Sequence, residues 1–202
     1  GHDFRPDYRR IIRVLQALPP NVAVLATTAT ANDRVVSDIR DQLGPELMVV
    51  RGPLARSSLR LQNLRLHSQA ERMAWLAANL PTIPGSGIIY TLTIQDSERL
   101  AEWLQSRGID ARAYHSGLAN ETKVKLEDDL VNNRVEALVA TSALGMGFDK
   151  PDLGFVIHFQ RPGSVIHYYQ QVGRAGRGID RAYGVLLSGE EDDEISDYFI
   201  RT

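Results

Sequence analysis

The apolar positions of the chain follow two spacings that alternate along most of its length. Short continuous apolar runs, typical of strands buried on both faces of a sheet, occupy residues 87–92, 111–114, 136–141, 155–159 and 183–187. Between these runs the apolar residues recur at helical spacing, which predicts helices at 69–80, 96–107, 120–133 and 164–172. This alternation predicts an α/β fold, in which helices cover both faces of a parallel sheet.

The part of the chain before residue 69 has a weaker pattern. Its apolar spacing and its Pro and Gly stop signals predict helices at 7–18 and 32–43 and short strands at 22–31 and 47–52. Residues 53–66 have no strong period and are predicted to be a connector. A final acidic helix is predicted after Ser188, because Ser188 and Glu191 have the spacing of a capping box.

The composition is that of a globular protein with a core, since 43% of the residues are hydrophobic and 24% are charged. The net charge of −2 excludes a protein that coats nucleic acid by bulk electrostatics. Nearly all of the 23 basic residues are arginines, which suit bidentate phosphate contacts, although a genome that favours arginine codons has the same effect.

Several classes of protein are disfavoured by what the sequence lacks. There is no cysteine, which excludes disulfides and cysteine-ligated zinc. No apolar run reaches the roughly 18 residues of a membrane span, and no secretory signal is recognisable. We therefore expect a cytoplasmic protein with no membrane partner and no metal site of its own.

Two glycine-rich stretches carry the candidate chemistry. The first, YYQQVGRAGRG at 168–178, would place Gln170, Arg174 and Arg177 on one face if it were helical. Each glycine in a helix costs about 1 kcal/mol relative to alanine, so their number indicates close packing here. Arginines aimed at one point neutralise charge in phosphoryl transfer; the alternative is a pair of solvated surface residues.

The second stretch, TSALGMGFDKPD at 141–152, directly follows a predicted strand. Gly145 and Gly147 permit a close backbone approach or a positive φ, and Asp149 is a fixed hydrogen-bond acceptor. In a parallel sheet ligands bind beyond the carboxyl ends of the strands, where this loop and YTLT at 90–93 would lie. Both are candidates for a binding site; the alternative is that each is a plain connection.

Together, five stretches resemble a known family. In order and spacing, they resemble motifs III to VI of the RecQ-type superfamily 2 helicases. The five stretches are TTATA (27–31), GIIYTLTIQDSERLAEWL (87–104), AYHSGL (113–118), VATSALGMGFDKPDLGFVIHF (139–159) and YYQQVGRAGRG. The forms GMGFDKP and QQVGRAGR resemble RecQ rather than the RNA-directed DEAD-box branch, which usually carries RGLD and HRIGRTGR. The stretch GHDFRPDYRR at 1–10 resembles the end of the aromatic-rich loop that follows the DEAH box of that family.

The resemblance implies two RecA-like domains, each a three-layer α/β/α arrangement around a parallel sheet, with ATP in the cleft between them and DNA across their tops. Residues 1–52 would be the C-terminal portion of the first domain, 53–66 the interdomain connector and 67–202 the second domain. The implied activity is that of a monomeric ATP-dependent 3′→5′ DNA helicase. Its partners would be single-stranded and partly duplex DNA, and it would couple ATP hydrolysis to strand unwinding in repair and recombination.

The resemblance also implies roles for individual residues. Arg177 would be the arginine finger on the γ-phosphate, with Arg174 beside it and Gln170 positioning the pair. The ATP-binding residues would be Gly147 and Asp149, the DNA contacts Thr93, His115, Thr141, Phe4 and Arg5, and the residues that couple the two sites Thr28 and Thr30. Structural roles are the alternative, since strand-end hydroxyls often cap helices and histidines often pack at strand ends.

Two motifs of the family are absent from the sequence. It contains neither G-x-x-x-x-G-K-[ST] nor a DEAH box, so the groups that cradle the phosphates and hold Mg²⁺ would lie outside this chain. We therefore expect the chain alone to be inactive, and ATP and Mg²⁺ to be used by a longer protein. Two alternatives stay open: an inactive RecA-like module that binds nucleic acid or a protein, and an RNA helicase.

Overall fold

The computed structural model of the chain separates into two compact units, Gly1–Leu54 and Ala55–Thr202. It describes residues 13–15, 17–19, 21–27, 33–44, 47–52, 56–145 and 147–189. Within those residues, no helix is long and apolar enough to cross a membrane. The acidic helix predicted after Ser188 lies outside the described residues.

The first unit contains helix α1 (Asp33–Leu43), close to the helix predicted at 32–43. Gly44 ends it with a φ of +101°, a conformation that glycine adopts readily, and its N–H donates to Arg40 O at 2.8 Å. In the helix predicted at 7–18, the described residues 13–15 and 17 are helical.

The two strands predicted in this unit are not formed in its described residues. Residues 22–27 and 47–52 have no strand pairing, and apolar side chains such as Leu25 and Met48 are exposed. A strand needs neighbours that accept its backbone hydrogen bonds and cover its side chains, and the described part of this unit supplies none. Apolar sequence alone therefore gave a wrong prediction for these segments.

The described residues of the second unit form a six-stranded sheet in which every neighbouring pair is parallel, with the strand order β1-β6-β5-β2-β4-β3. Its strands are β1 (Leu59–Arg65), β2 (Gly87–Tyr90), β3 (Ala111–Tyr114), β4 (Ala137–Ala140), β5 (Phe155–His158) and β6 (Ala182–Ser188). Its helices are α2 (Gln69–Asn79), extended by a 3₁₀ turn at Leu80–Thr82, α3 (Ile94–Ser106), α4 (Asn120–Val131) and α5 (Val165–Val172).

Alternate residues of the central strands point to opposite faces of this sheet and build two separate cores. On one face Ile89 and its equivalents pack with Leu76 of α2 and Leu104 of α3. On the other face Ile88 and its equivalents pack with Leu130 of α4. Each of these leucines is fully buried, which stabilises the fold by roughly 1.5–3 kcal/mol per side chain. The predicted three-layer α/β/α arrangement is therefore confirmed.

The segment predicted as a connector, 53–66, contains strand β1 of this sheet. Among the described residues, β1 lies at the sheet edge and pairs only with β6, with Leu59 opposite Ala182. Most of its residues are exposed, because one side of an edge strand faces solvent, and its sequence LRLQNLR lacks a continuous apolar run. The pattern typical of buried strands is therefore missing, and the prediction was wrong for residues 59–65.

Candidate functional site

Residues 173–178, here called the arginine turn, follow α5 and carry both candidate arginines. α5 ends at Val172, so Arg174 and Arg177 do not lie on a helical face with Gln170, which is exposed on α5. Gly176 has a φ of +71°, and a Cβ there would lie 2.9 Å from Ala182 Cβ. Close packing at this glycine was correctly predicted, but it occurs in a turn rather than in a helix.

The guanidinium of Arg177 is held at the end of the 141–152 loop. Its Nη1 donates to Asp149 Oδ1 at 2.8 Å, and its Nε donates to Gly173 O at 3.4 Å. The side chains of Arg177 and Asp149 are 46% and 59% exposed. An ion pair as exposed as this contributes at most about 1 kcal/mol, so either partner can exchange the other for a ligand.

Arg174 lies deeper than Arg177 and links the arginine turn to the same loop. Its Nη1 donates to Phe148 O at 3.0 Å, and its buried Nε has no hydrogen-bond partner among the described residues. Nearby, burial raises the pKa of Tyr90 to about 12, and the positive charge of Arg174 opposes that rise. Tyr90 donates in turn to Leu144 O at 3.3 Å.

The backbone conformation of the 141–152 loop favours glycine at position 147. Gly147 has a φ of +103° in open space, which side-chain-bearing residues rarely adopt. The loop is anchored at its end by Lys150, whose buried Nζ donates to Asp152 Oδ1 at 2.8 Å and to Val131 O at 3.2 Å. The hydrogen bond from Lys150 holds the pKa of the Asp152 carboxyl below its usual value.

Thr93, predicted to contact DNA, is the N-cap of α3. Its Oγ1 accepts from Asp96 N at 3.0 Å and donates to Asp96 Oδ2 at 2.7 Å, while the side chain stays exposed. Gln160 supports this cap: its Nε2 donates to Asp96 Oδ2 at 3.0 Å and its Oε1 accepts from Leu92 N at 2.9 Å. Thr93 therefore caps α3, and the carboxylate of Asp96 lies beside the predicted phosphate contact.

Thr141 and His115 directly follow β4 and β3 at the carboxyl edge of the sheet, and both are buried. Thr141 N donates to Tyr114 O at 3.1 Å, and Thr141 Oγ1 accepts from Ala143 N at 3.4 Å. His115 Nε2 lies 3.3 Å from Glu98 Oε1. Both side chains are held by the protein itself, and their contact with DNA stays a prediction.

Sequence reasoning missed a buried histidine beneath this edge of the sheet. The ring of His158 stacks on Tyr90, with centroids 5.5 Å apart, and packs against Tyr168 at 4.9 Å. Its Nε2 lies 2.9 Å from Gln171 Oε1, so Gln171 rather than Gln170 contacts a neighbouring element here. Burial lowers the pKa of His158 to about 4, against the opposing effect of Gln171, and the ring is therefore neutral at pH 7.

Sequence reasoning also missed two residues that bind the backbone of the arginine turn. Arg56 donates from Nη1 to Ala175 O and from Nη2 to Gly173 O, both at 2.8 Å. Ser58 Oγ donates to Gly176 O at 2.7 Å. These partners are 117 to 119 positions apart in the chain, and no local pattern could have indicated the pairing.

The remaining predicted site residues, Phe4, Arg5, Thr28 and Thr30, lie outside the described residues. In the part of the chain that the structure describes, no group of three or more His, Asp or Glu side chains is placed to hold a metal ion. The site that the structure brings together thus consists of the arginine turn, Asp149 and Gly147.

Comparison with known proteins agrees with this geometry. Residues 71–178 match the family described as helicase conserved C-terminal domain. The chain is 38% identical over 201 residues to the RecQ-like DNA helicase BLM of Xenopus laevis, covering 95% of this chain and 14% of that protein. It is 34% identical over 202 residues to the ATP-dependent DNA helicase RecQ of Bacillus subtilis, covering 99% of this chain and 34% of that protein.

One viral relative is named as an RNA helicase rather than a DNA helicase. The putative ATP-dependent RNA helicase R290 of Acanthamoeba polyphaga mimivirus is 36% identical over 204 residues, covering 99% of this chain and 36% of that protein. The chain therefore spans only about a seventh to a third of the length of these relatives.

Solved structures show the same fold at low sequence identity. S. cerevisiae Dbp5 bound to RNA and ADP BeF3 matches with a TM-score of 0.73 and 20% identity, over 99% of this chain and 54% of that one. The predicted RecA-like architecture is thereby confirmed. By its motifs, its fold and its relatives, this chain belongs to the helicase conserved C-terminal domain family and is of the RecQ type.

Proposed function

We propose that this chain is part of the motor of an ATP-dependent DNA helicase that unwinds DNA in the 3′→5′ direction. The observation that carries the proposal is the half-exposed ion pair between Arg177 and Asp149. The names of the RecQ-type relatives support DNA as the substrate. The phosphate-binding and Mg²⁺-binding groups of the motor are absent from this sequence and would come from other residues of the complete helicase.

Arg177 is the arginine finger in this proposal. Before ATP binds, Asp149 and Gly173 O hold its guanidinium at the surface. A phosphate oxygen competes with Asp149 because that exposed ion pair contributes so little. The planar guanidinium then offers two N–H groups to the charge that develops as the γ-phosphoryl group leaves. Asp149, once released, is free to accept from a hydroxyl of the nucleotide.

Arg174 and Gly147 have supporting roles. Arg174 donates to Phe148 O, next to Asp149, and so fixes the loop that faces the finger. Gly147 allows the loop to take a backbone conformation that other residues resist, which lets it approach the nucleotide closely. Gln170 is exposed on α5, one helical turn before the arginine turn, and its role in this proposal is to position the two arginines.

The DNA track would follow the carboxyl edge of the sheet, where Thr93 is exposed and His115 and Thr141 are buried. Phe4, Arg5, Thr28 and Thr30 belong to the same proposal. Since one domain offers only part of such a track, the chain alone binds single-stranded DNA weakly and in a salt-dependent way. A titration with labelled oligonucleotide at two salt concentrations tests this, and tight binding that is insensitive to salt contradicts it.

The proposed function is tested by ATP hydrolysis and strand separation in the complete helicase. We expect hydrolysis that single-stranded DNA stimulates, and unwinding only of duplexes with a 3′ single-stranded tail. The chain by itself is expected to hydrolyse no ATP beyond an Arg177→Ala control. Absence of hydrolysis in the complete protein would favour the alternative of an inactive RecA-like module that binds nucleic acid or a protein.

A second candidate function is an RNA helicase, which the name of the mimivirus relative favours. The comparison that separates the two candidates is ATP hydrolysis stimulated by DNA and by RNA of the same sequence. Stimulation by RNA alone would establish the second candidate. A role in repair and recombination, a cytoplasmic location and a monomeric state complete the proposal, and sedimentation of the complete protein tests the last of these.

A further inference from the structure

The side chain of Arg56 donates hydrogen bonds to two backbone carbonyls of the arginine turn. The two donors of its guanidinium, Nη1 and Nη2, bind Ala175 O and Gly173 O, each at 2.8 Å. Two N–H groups of one rigid plane fix the orientation of the bound segment as well as its distance. Ser58 Oγ adds a third contact, to Gly176 O at 2.7 Å.

Arg56 and Arg177 share one of these acceptors. Gly173 O accepts from Arg56 Nη2 at 2.8 Å and from Arg177 Nε at 3.4 Å. A displacement of this carbonyl therefore moves the starting point of the Arg177 side chain. Arg56 itself is more than 115 positions away from the turn in sequence, so it acts as a brace from outside the turn.

The sequence of the turn does not by itself favour one backbone shape. Its backbone contains three glycines, at 173, 176 and 178, and glycine gives a free chain more conformations than any other residue. Its backbone N–H groups are bound from within the fold: those of residues 173–175 donate to carbonyls of α5, and those of Gly176 and Gly178 donate to Leu153 O and Pro151 O. Arg56 and Ser58 supply donors to its carbonyls, which the N–H contacts leave unbound.

We propose that Arg56 is a positioning residue for ATP hydrolysis, which holds the arginine turn so that Arg177 meets the leaving phosphoryl group. The inference rests on the proposed function. Misplacement of a reacting group by about 1 Å can cost about 100-fold in rate. Lysine cannot replace Arg56 fully, because its ammonium is a single point that cannot span two carbonyls in a fixed plane.

The test compares Arg56→Gln with Arg60→Gln in the complete helicase. Arg60 is an exposed arginine on β1, four positions along, and has no place in the site. We expect kcat for ATP hydrolysis to fall at least tenfold in Arg56→Gln, with the affinity for ATP changed less than threefold, by the misplacement argument above. Arg60→Gln is expected to match the parent in both. A kcat for Arg56→Gln equal to that of Arg60→Gln would overturn the inference.

Hydrogen exchange at residues 174–178 provides a measurement that needs no activity. We expect faster exchange there in Arg56→Gln than in Arg60→Gln, with the rest of the sheet unchanged; equal rates would overturn the inference. If the parent protein hydrolyses no ATP, the proposed function fails, and hydrogen exchange still decides whether Arg56 holds the turn. Should Arg56→Gln not fold, Arg56→Lys replaces it, and a parental kcat in that variant would contradict the inference.

Discussion

Arg177 Nη1 lies 2.8 Å from Asp149 Oδ1, so the candidate finger is paired with a carboxylate at the site of the nucleotide that we propose. The pair joins two glycine-rich segments that are 28 positions apart in the chain. Because both side chains are about half exposed, the pair positions the guanidinium without holding it strongly.

We predict that Arg177→Lys in the complete helicase lowers turnover by a factor on the order of 10³ or more and changes ATP affinity little. Lysine keeps the charge but loses the planar fork that spans two phosphate oxygens, and a finger acts mainly on the transition state. The measurements are kcat, ATP affinity and DNA affinity without nucleotide, of which the last should be retained. Turnover within a few-fold of the parent would make Arg174 the candidate finger.

We predict that Asp96→Asn raises the affinity of the chain for single-stranded DNA about fivefold, because it removes a negative charge beside Thr93, the proposed phosphate contact. The same change should cost about 0.5 kcal/mol of stability, since Asp96 lies in the first turn of α3. Glu102→Gln is the matched control: it removes the same charge about 9 Å further along α3. Equal affinity of the two variants for the oligonucleotide would argue against a phosphate at Thr93.

We predict that His158 makes the second unit less stable in acid. The pKa of this buried ring is about 4, below the ordinary 6.5, so the unfolded chain binds a proton that the folded one does not. Its contribution is therefore present above pH 6.5 and is lost as the pH falls from 6.5 towards 4, by about 3 kcal/mol in all. Unfolding free energies of the parent and of His158→Gln at pH 7 and pH 4.5 test this. Identical losses in both proteins would rule the effect out.

We predict that Gly176→Ala destabilises the second unit by about 1–3 kcal/mol, because alanine is strained at a φ of +71° and its Cβ would press on Ala182 Cβ. Gly163 provides the control, since a Cβ there meets nothing within 4 Å and its φ is not in the left-handed region. Gly163→Ala should change stability by less than about 0.5 kcal/mol. Urea unfolding of both variants gives the comparison, and similar losses would contradict the packing argument.

Much of the second unit could be predicted because its central strands are buried on both faces. Ile88 and Ile89, for example, face opposite cores and produce the continuous apolar run that predicted β2. A continuous apolar run could not reveal β1, because an edge strand is exposed to solvent on one side and the sequence of β1 is mostly polar. The apolar run at 22–27 shows the converse, since the described residues of its unit give it no partner strand.

The candidate site was predictable only where its chemistry is local. The glycines of the arginine turn and the loop that carries Asp149 indicate close packing and an anion site through residue types and spacing alone. The hydrogen bonds from Arg56 and Ser58 depend on the pairing of β1 with β6, and local patterns contain no information on that pairing. His158 was missed because its neighbours Tyr90, Tyr168 and Gln171 are brought together by packing.

The pairing of β1 with β6 also sets an order of events during synthesis. Of the strands that the structure describes in this sheet, β1 is the first to leave the ribosome, yet its partner among them is the last, so Leu59 must wait for Ala182. Until then its backbone groups have no strand to bind, while β2, β3, β4 and β5 are free to pair among themselves. Contacts between distant parts of a chain form slowly because the loop between them must close first. The nascent protein thus carries an unpaired strand for almost the whole translation of the unit, and the brace on the arginine turn is completed only when that strand docks.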